Sequence, residues 1–173
     1  MTAIASTPFT AAQFNLYVRD NLNETAPAKV TAPSQILVST GANAIAARTP
    51  TAATVAASET TSSTTYTGLS TPGPTFTVTT GTKALVFLSA FIQNSTAGAH
   101  AEVGYVVTGA SSISAGDANA LRHESATSNA MVRATAVIFE DGLTAGSNTF
   151  FAQYRVGSGT GTFANRHMIV IPL

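Results

Sequence analysis

Three histidines, His100, His123 and His167, are the side chains of this chain best able to ligate a metal or move a proton near neutral pH. None of them stands at a zinc-binding interval such as two histidines four apart on a helix. They read as surface or interface histidines, and no metal is expected. The sequence has no cysteine, so thiolate metal sites and disulfides are excluded. Asp117 and His123 with one of the many serines could make a nucleophilic triad on paper. A Gly-x-Ser-x-Gly elbow, which presents such a serine between a strand and a helix, does not accompany them. With this much serine, chance accounts for the combination. The expectation is a protein that is not an enzyme, with no catalytic residue and no cofactor.

Other motifs read more plainly. Gly157-Ser158-Gly159-Thr160-Gly161-Thr162-Phe163 is glycine-rich, but a phosphate loop needs a helix N-terminus behind it. Strand-forming sequence flanks it on both sides, so a hairpin loop is expected. Asn23-Glu24-Thr25 and Asn94-Ser95-Thr96 match the glycosylation pattern, which has meaning only in an exported protein. Glu140-Asp141-Gly142 is a charged turn with too few ligands for calcium. Arg133, Arg155 and Arg166 fall inside expected strands, where an arginine sits on the solvent face or in a charge pair. Glu102 and Glu140 are their natural partners, and an interface role comes second.

These side chains need a scaffold, and residues 82–93 supply its centre. From Ala84 to Ile92 the run is apolar except for Ser89, with Gly81 before it and Asn94-Ser95-Thr96-Ala97-Gly98 after it. Its length and its Val, Phe and Ile content suit a strand. Alternation puts Leu85, Phe87, Ser89 and Phe91 on one face, and Ala84, Val86, Leu88, Ala90 and Ile92 on the other. Both faces are apolar and both need cover. One is expected to meet the chain's own sandwich core and the other a further layer or another subunit. Leu85, Phe87, Phe91, Val86, Leu88 and Ile92 are therefore the candidates for a trimer or sandwich core.

The chain before this strand opens on a helix. Thr10 and Gln13 have the spacing of a capping box, and Phe9 and Phe14 that of a hydrophobic staple. Phe14, Tyr17, Val18, Asn21 and Leu22 fall on one stripe. Pro27 disfavours helix at Ala26, so the helix should end near Glu24 or Thr25. A helix of about 14 residues is marginal alone and needs a docking surface. Phe9, Phe14, Tyr17, Val18 and Leu22 are the anchoring or interface candidates. Residues 26–34 read as an extended linker. Runs at 35–39 and 44–48 flank a Gly/Asn turn and make a small hairpin. Residues 49–65 read as a second, Thr/Ala/Ser-rich connector.

From about Thr64, turn signals recur between strand-like runs near 64–69, 75–80, 83–93, 100–108, 130–140, 148–156 and 163–171. Asp117 to His123 could be a further strand or a short helix, within a stretch that otherwise reads as surface loop. The fold expected is mainly β: an antiparallel sandwich of jelly-roll type, preceded by a short N-terminal helix and hairpin. The divisions expected are 1–50 for the anchoring or bracing helix and hairpin, 51–63 for a connector and 64–173 for the sandwich.

Composition bears on partners. Of 173 residues, 8 are basic and 8 acidic, a charged share of 9% and a formal net charge of zero. A usual soluble domain carries about 25% charged residues. Zero net charge offers no long-range field to nucleic acid or an anionic membrane, so neither is an expected partner. A weakly charged surface favours self-association, so cover by copies of the same chain or by an assembly is expected. The start, Met1 to Pro8, lacks the basic and apolar segments of a signal peptide, and no apolar run approaches a membrane span. Use without Sec export is the expectation.

Phe9-Thr10-Ala11-Ala12-Gln13-Phe14-Asn15, Val18-Arg19-Asp20-Asn21-Leu22, Ala26-Pro27-Ala28-Lys29 and Val38 to Arg48 together resemble an N-terminal pattern of virion surface proteins from tailed phages of actinobacteria. Thr160 to Pro172 is similar to the closing strand of the same proteins. The tryptophan that often precedes the first block is absent. The resemblance implies a non-enzymatic virion component assembled in the host cytoplasm, a homotrimer in contact with other virion proteins. The chain is too short for a long fibre, which favours a capsid decoration or head-fibre protein. The alternative is a minor tail or tail-fibre protein that binds a host receptor or cell-surface glycan. Its candidate loops are Asn94–His100, Ser111–Asn129 and Gly157–Thr162, with Tyr105 or Tyr154 as stacking residues.

Overall fold

The computed structural model describes Pro8, residues 10–23 and residues 25–173, with backbone alone for 23, 26 and 27. Phe9 lies outside the described residues, and with it the expected staple to Phe14. The chain divides into two compact units, Met1–Ala47 and Arg48–Leu173.

The first unit begins with helix α1, Ala11–Phe14. Its capping box is formed: the Gln13 N–H donates to Thr10 Oγ1 at 3.1 Å, and the Thr10 N–H donates to Gln13 Oε1 at 3.1 Å. The helix continues as a π-helical stretch, Asn15–Arg19, and closes as α2, Asp20–Asn23. The wider π turn rotates the following residues away from ideal 3.6-residue spacing. Asn21 Nδ2 donates to the Tyr17 carbonyl at 2.9 Å across it.

Residues 26–34, expected to be extended, instead start with a helical turn, α3, Ala26–Lys29. The N–H groups of Ala28 and Lys29 donate to the Thr25 carbonyl. Pro27 is tolerated because N–H groups in a first turn have no intrahelical acceptor. Strands β1, Ile36–Gly41, and β2, Ala44–Arg48, form the expected hairpin, with Asn43 at a φ of 57° in its turn.

The second unit is a sandwich of two antiparallel sheets. Its strands are β3 (Thr51–Val55), β4 (Glu59–Thr61), β5 (Thr75–Thr80), β6 (Ala84–Asn94), β7 (His100–Gly109), β8 (Ala120–Glu124), β9 (Val132–Glu140), β10 (Gly146–Val156) and β11 (Gly161–Pro172). One sheet has the order β5-β10-β7-β8. The other has the order β3-β11-β6-β9, with β4 also paired to β11. Strand β6 is thus central in its sheet, as its apolar sequence requires.

Two stretches differ from expectation. Residues 51–63, read as a connector, carry β3 and β4. Their Thr/Ala/Ser composition has no large alternating side chains to announce a strand, and their ladders with β11 hold them. Residues 64–69, read as a strand, contribute a single bridge, Thr67 to Tyr154. The stretch 117–124 is both of its alternatives in turn, a 3₁₀ turn at Asp117–Asn119 and then β8.

The core lies between the sheets. Ala84, Val86, Leu88, Ala90 and Ile92 of β6 are fully or almost fully buried against Val103, Tyr105 and Val107 of β7 and Phe150, Tyr154 and Val156 of β10. The Tyr154 and Phe163 rings lie 4.9 Å apart and tilted, a favourable edge-to-face arrangement. A bulge between Ala164 and His167 turns Arg166 into this core. Its Nη1 donates to the carbonyls of Thr71 (3.1 Å) and Gly73 (3.4 Å), and its guanidinium lies over the Tyr154 ring. The Tyr154 hydroxyl donates to the Gly73 carbonyl at 2.7 Å, and Glu59 accepts the Thr71 N–H. Arg166 is therefore a strut for the turn around Pro72-Gly73-Pro74, not the solvent-facing or carboxylate-paired arginine expected in a strand.

Phe163 fills the centre of this packing. Phe163→Ala is expected to cost about 3–5 kcal/mol in urea unfolding. A loss below about 1 kcal/mol would mean that the core is loosely packed around that ring.

Candidate functional site

The outer face of the five-stranded sheet is its most unusual surface. Leu85, Phe87 and Phe91 point to this side of β6 and are half-buried, while Val86, Leu88 and Ile92 point into the core. Strand register sets Leu85 between Phe139 and Ile171, and Phe87 between Val137 and Ile169. Val137 is 57% and Phe139 53% exposed. These six residues make a contiguous apolar strip across three strands, of the kind that marks an interaction site when left uncovered. Lys83 Nζ sits 5.6 Å from the Phe139 ring centroid at one end. A polar band closes the other end: Ser89 Oγ accepts from Arg133 Nε at 3.2 Å and from Thr135 Oγ1 at 3.1 Å, and Arg133 lies 5.2 Å from the Phe91 centroid. His167 stands across the ladder from Ser89. Ser89 is thus held by an arginine and a threonine.

The helical stretch of the first unit offers a second uncovered apolar surface. Phe14, Leu16, Tyr17 and Leu22 are 51%, 59%, 44% and 60% exposed, and Val18 is partly buried.

A charged cluster lies on the outer face of the other sheet. Glu102 of β7 is fully buried, flanked across the ladders by Arg155 of β10 and Arg122 of β8. Its Oε2 accepts from Arg155 Nε at 2.5 Å and from the Tyr66 hydroxyl at 2.8 Å. Its Oε1 faces Arg122 at 3.5 Å and His100 Nε2 at 3.6 Å. Arg155 also holds Asp117 at 2.7 Å and lies over the Tyr66 ring. Gly104 permits this arrangement, because a Cβ there would come within 2.9 Å of Tyr66 Cε1. Burial alone would raise the Glu102 carboxyl. Hydrogen bonds from Arg155 and Tyr66 and the charges of Arg155 and His100 outweigh it and hold the carboxyl below the usual range. Burial and the neighbouring Glu102 push the Tyr66 phenol up. The cluster ties β7, β8, β10 and the loop at Asp117 together.

The histidines and Asp117 are spread over the two sheets. His100 lies on the outer face of β7, His123 lies on β8 opposite the core residue Ala101, and His167 lies on the other sheet. No group of three metal-ligating side chains occurs among the described residues. Asp117 is engaged by Arg155 and the Tyr66 hydroxyl, not by His123. The Gly157–Gly161 loop packs on its neighbours: Ser95 N–H donates to the Thr160 carbonyl, Thr160 N–H donates to Ser95 Oγ, and the His100 ring occupies the space where a Gly157 Cβ would be. Asn94 is fully buried, its amide donating to the carbonyls of His100 and Ser158, so the glycosylation match there is inaccessible. Tyr105 and Tyr154 are fully buried and cannot be stacking platforms for a glycan. Burial pushes the Tyr154 phenol up to about 12. Glu140, expected beside an arginine, instead accepts the Tyr105 hydroxyl at 2.9 Å. Arg155 does pair with Glu102.

Val137, Phe139, Ile169 and Ile171 were not singled out from the sequence. The signal was available: both alternating sets of β9 and β11 carry apolar residues, as in β6. Tyr66 and Arg122 gave no local signal, because only strand register brings them to Glu102.

No protein-family model matches the chain, and no curated protein sequence resembles it at a significant level. Among solved structures, the infectious bursal disease virus VP2 subviral particle is similar over 77% of this chain and 36% of that one, with 10% identity and a TM-score of 0.44. A structure of the Gx strain of infectious bursal disease virus is similar over the same shares, with 11% identity and a TM-score of 0.42. The chain thus spans about a third of the length of those proteins.

Glu102 makes a measurable statement about pH. Because its folded carboxyl is held low, its stabilising contribution is complete above the ordinary value of 4.5 and is lost as pH falls through the lower folded value. The melting temperature of the wild type is expected to drop on acidification below pH 4.5, and Glu102→Gln is expected to flatten that slope. At neutral pH the same substitution should cost about 3 kcal/mol, the low end for breaking a buried pair, since Arg155 keeps some solvent. An unchanged acid slope in the variant would remove Glu102 from the account.

Proposed function

We propose that this chain is a non-enzymatic structural protein of a virus particle, a capsid decoration or head-fibre protein of a tailed phage. The sandwich packs around a three-fold axis and projects outward, and the first unit attaches it to the particle. The observation that carries this reading is the apolar strip on the outer face of the five-stranded sheet. A face bearing Leu85, Phe87, Val137, Phe139, Ile169 and Ile171 is costly to leave in water, at about 25 cal/mol for each Å² of apolar surface. Closed symmetric assembly removes it.

Two further observations support the reading. The apolar side chains of the helical stretch, Phe14, Leu16, Tyr17 and Leu22, are uncovered, as an attachment segment requires. The N-terminal and C-terminal sequence patterns resemble those of actinobacterial phage virion proteins, from which the particle setting and the trimer are taken. The division of labour at about residue 50, with anchoring before it and display after it, belongs to the same proposal. Tail-fibre or glycan-binding function is the weaker alternative, because the two tyrosines that would have served a glycan are in the core.

Light scattering on the eluting peak should give a multiple of three of the chain mass of 17.6 kDa. Phe87→Glu, in the middle of the strip, should lower that mass while preserving the circular dichroism of the sandwich. An unchanged mass in the variant would overturn the use of this face. Immunogold labelling of particles should decorate the capsid, and label confined to the tail tip would move the protein to the alternative.

A further inference from the structure

We infer that the free edge of β9 is a second, two-fold interface, through which two copies of this chain join their five-stranded sheets into one continuous sheet. The inference is independent of the three-fold reading above.

An edge strand presents unpaired N–H and C=O groups, and proteins blunt such edges with charges, prolines, bulges or short strands. The sandwich has four edges, and three are blunted. Strand β8 has five residues, of which Arg122, His123 and Glu124 are titratable. Strand β5 has six residues and starts directly after Pro74. The edge along β11 is divided between β3, five residues, and β4, three residues. Strand β9 is neither short nor interrupted. It runs nine residues, pairs with β6 from Val132 to Glu140 without a register shift, and has no proline. Its charges, Arg133 and Glu140, stand at its ends. Among the described residues, its backbone makes no hydrogen bond on the side away from β6.

The strand's own sequence identifies the occupant. Opposed residues of an antiparallel pair share a face. For two copies related by a two-fold axis normal to the sheet, full overlap of the nine residues therefore places Ala136 opposite itself. Thr135 then opposes Val137, and Arg133 opposes Phe139. Like charges stay apart, because each Arg133 lies at the far end from the other and each Glu140 faces a Val132. The pairing repeats within the new ladder the arginine-over-phenylalanine contact that Arg133 already makes across β6 with Phe91 at 5.2 Å. On the core-facing side Ala134 opposes Ile138, a small residue against a large one.

The test uses the full chain, light scattering and a pair of double variants. An even multiple of 17.6 kDa for the wild type supports edge pairing, whereas a multiple of three supports the three-fold axis. Two copies mean the edge alone, three the axis alone, six both and one neither, so the two readings fail separately. A wild-type mass of one or three copies overturns the edge pairing. Thr135→Lys with Val137→Lys places two ammonium groups opposite each other on both sides of the two-fold. Thr135→Lys with Val137→Glu places each ammonium opposite a carboxylate in that same register. Both variants replace the same two exposed residues of the outer face, and folding is checked by circular dichroism. The Lys/Lys variant should have an odd number of copies, one or three, and the Lys/Glu variant an even number, two or six. Equal masses would overturn the inferred register.

Discussion

The second unit depends on one constraint: strand β6 is apolar on both faces, and a single sandwich covers only one. Ala84, Val86, Leu88, Ala90 and Ile92 are turned inward and meet side chains from β7 and β10. The opposite set, Leu85, Phe87 and Phe91, is extended sideways by β9 and β11 into a strip that remains half-exposed. Central position in the sheet follows, because only there are the backbone groups of a strand satisfied on both sides. The strip is the residue of that solution.

The polar side chains are arranged to support this scaffold. Glu102, Arg155, Arg122, Asp117 and Tyr66 knit the outer face of one sheet, and Arg166 with Tyr154 braces the turn at Gly73. Glu102 is met by opposite charges, and Arg166 is met by carbonyls through Nη1 alone, its Nε and Nη2 being buried without a hydrogen-bond partner. At the end of the sandwich near Asn94, the same economy is achieved with a buried amide and serine hydroxyls, which consume the polar groups of the glycine-rich loop.

Local sequence was a sound guide wherever a signal was strong and short-range. The capping box at Thr10 and Gln13, the turn at Asn43 and the alternation of β6 are each set within a few residues by hydrogen bonding or by packing periodicity. It failed where the stabilising partner is remote. Strands β3 and β4 have no apolar alternation and exist through β11, more than a hundred residues away. Residues 64–69 have strand-like composition, yet Tyr66 is used to seat on Gly104 and donate to Glu102.

The sequence alone therefore determined the mainly β character, most of the strands and the two-faced nature of β6, because these follow from side-chain periodicity. Only the tertiary structure decided which face of β6 is core and which is open. It also decided that Arg166 turns inward at a bulge, that Tyr105 and Tyr154 are buried, and that β9 ends a sheet with one side of its backbone unpaired among the described residues. Register and strand order settle these points, and both arise from contacts between residues far apart in the chain, which local pattern does not encode.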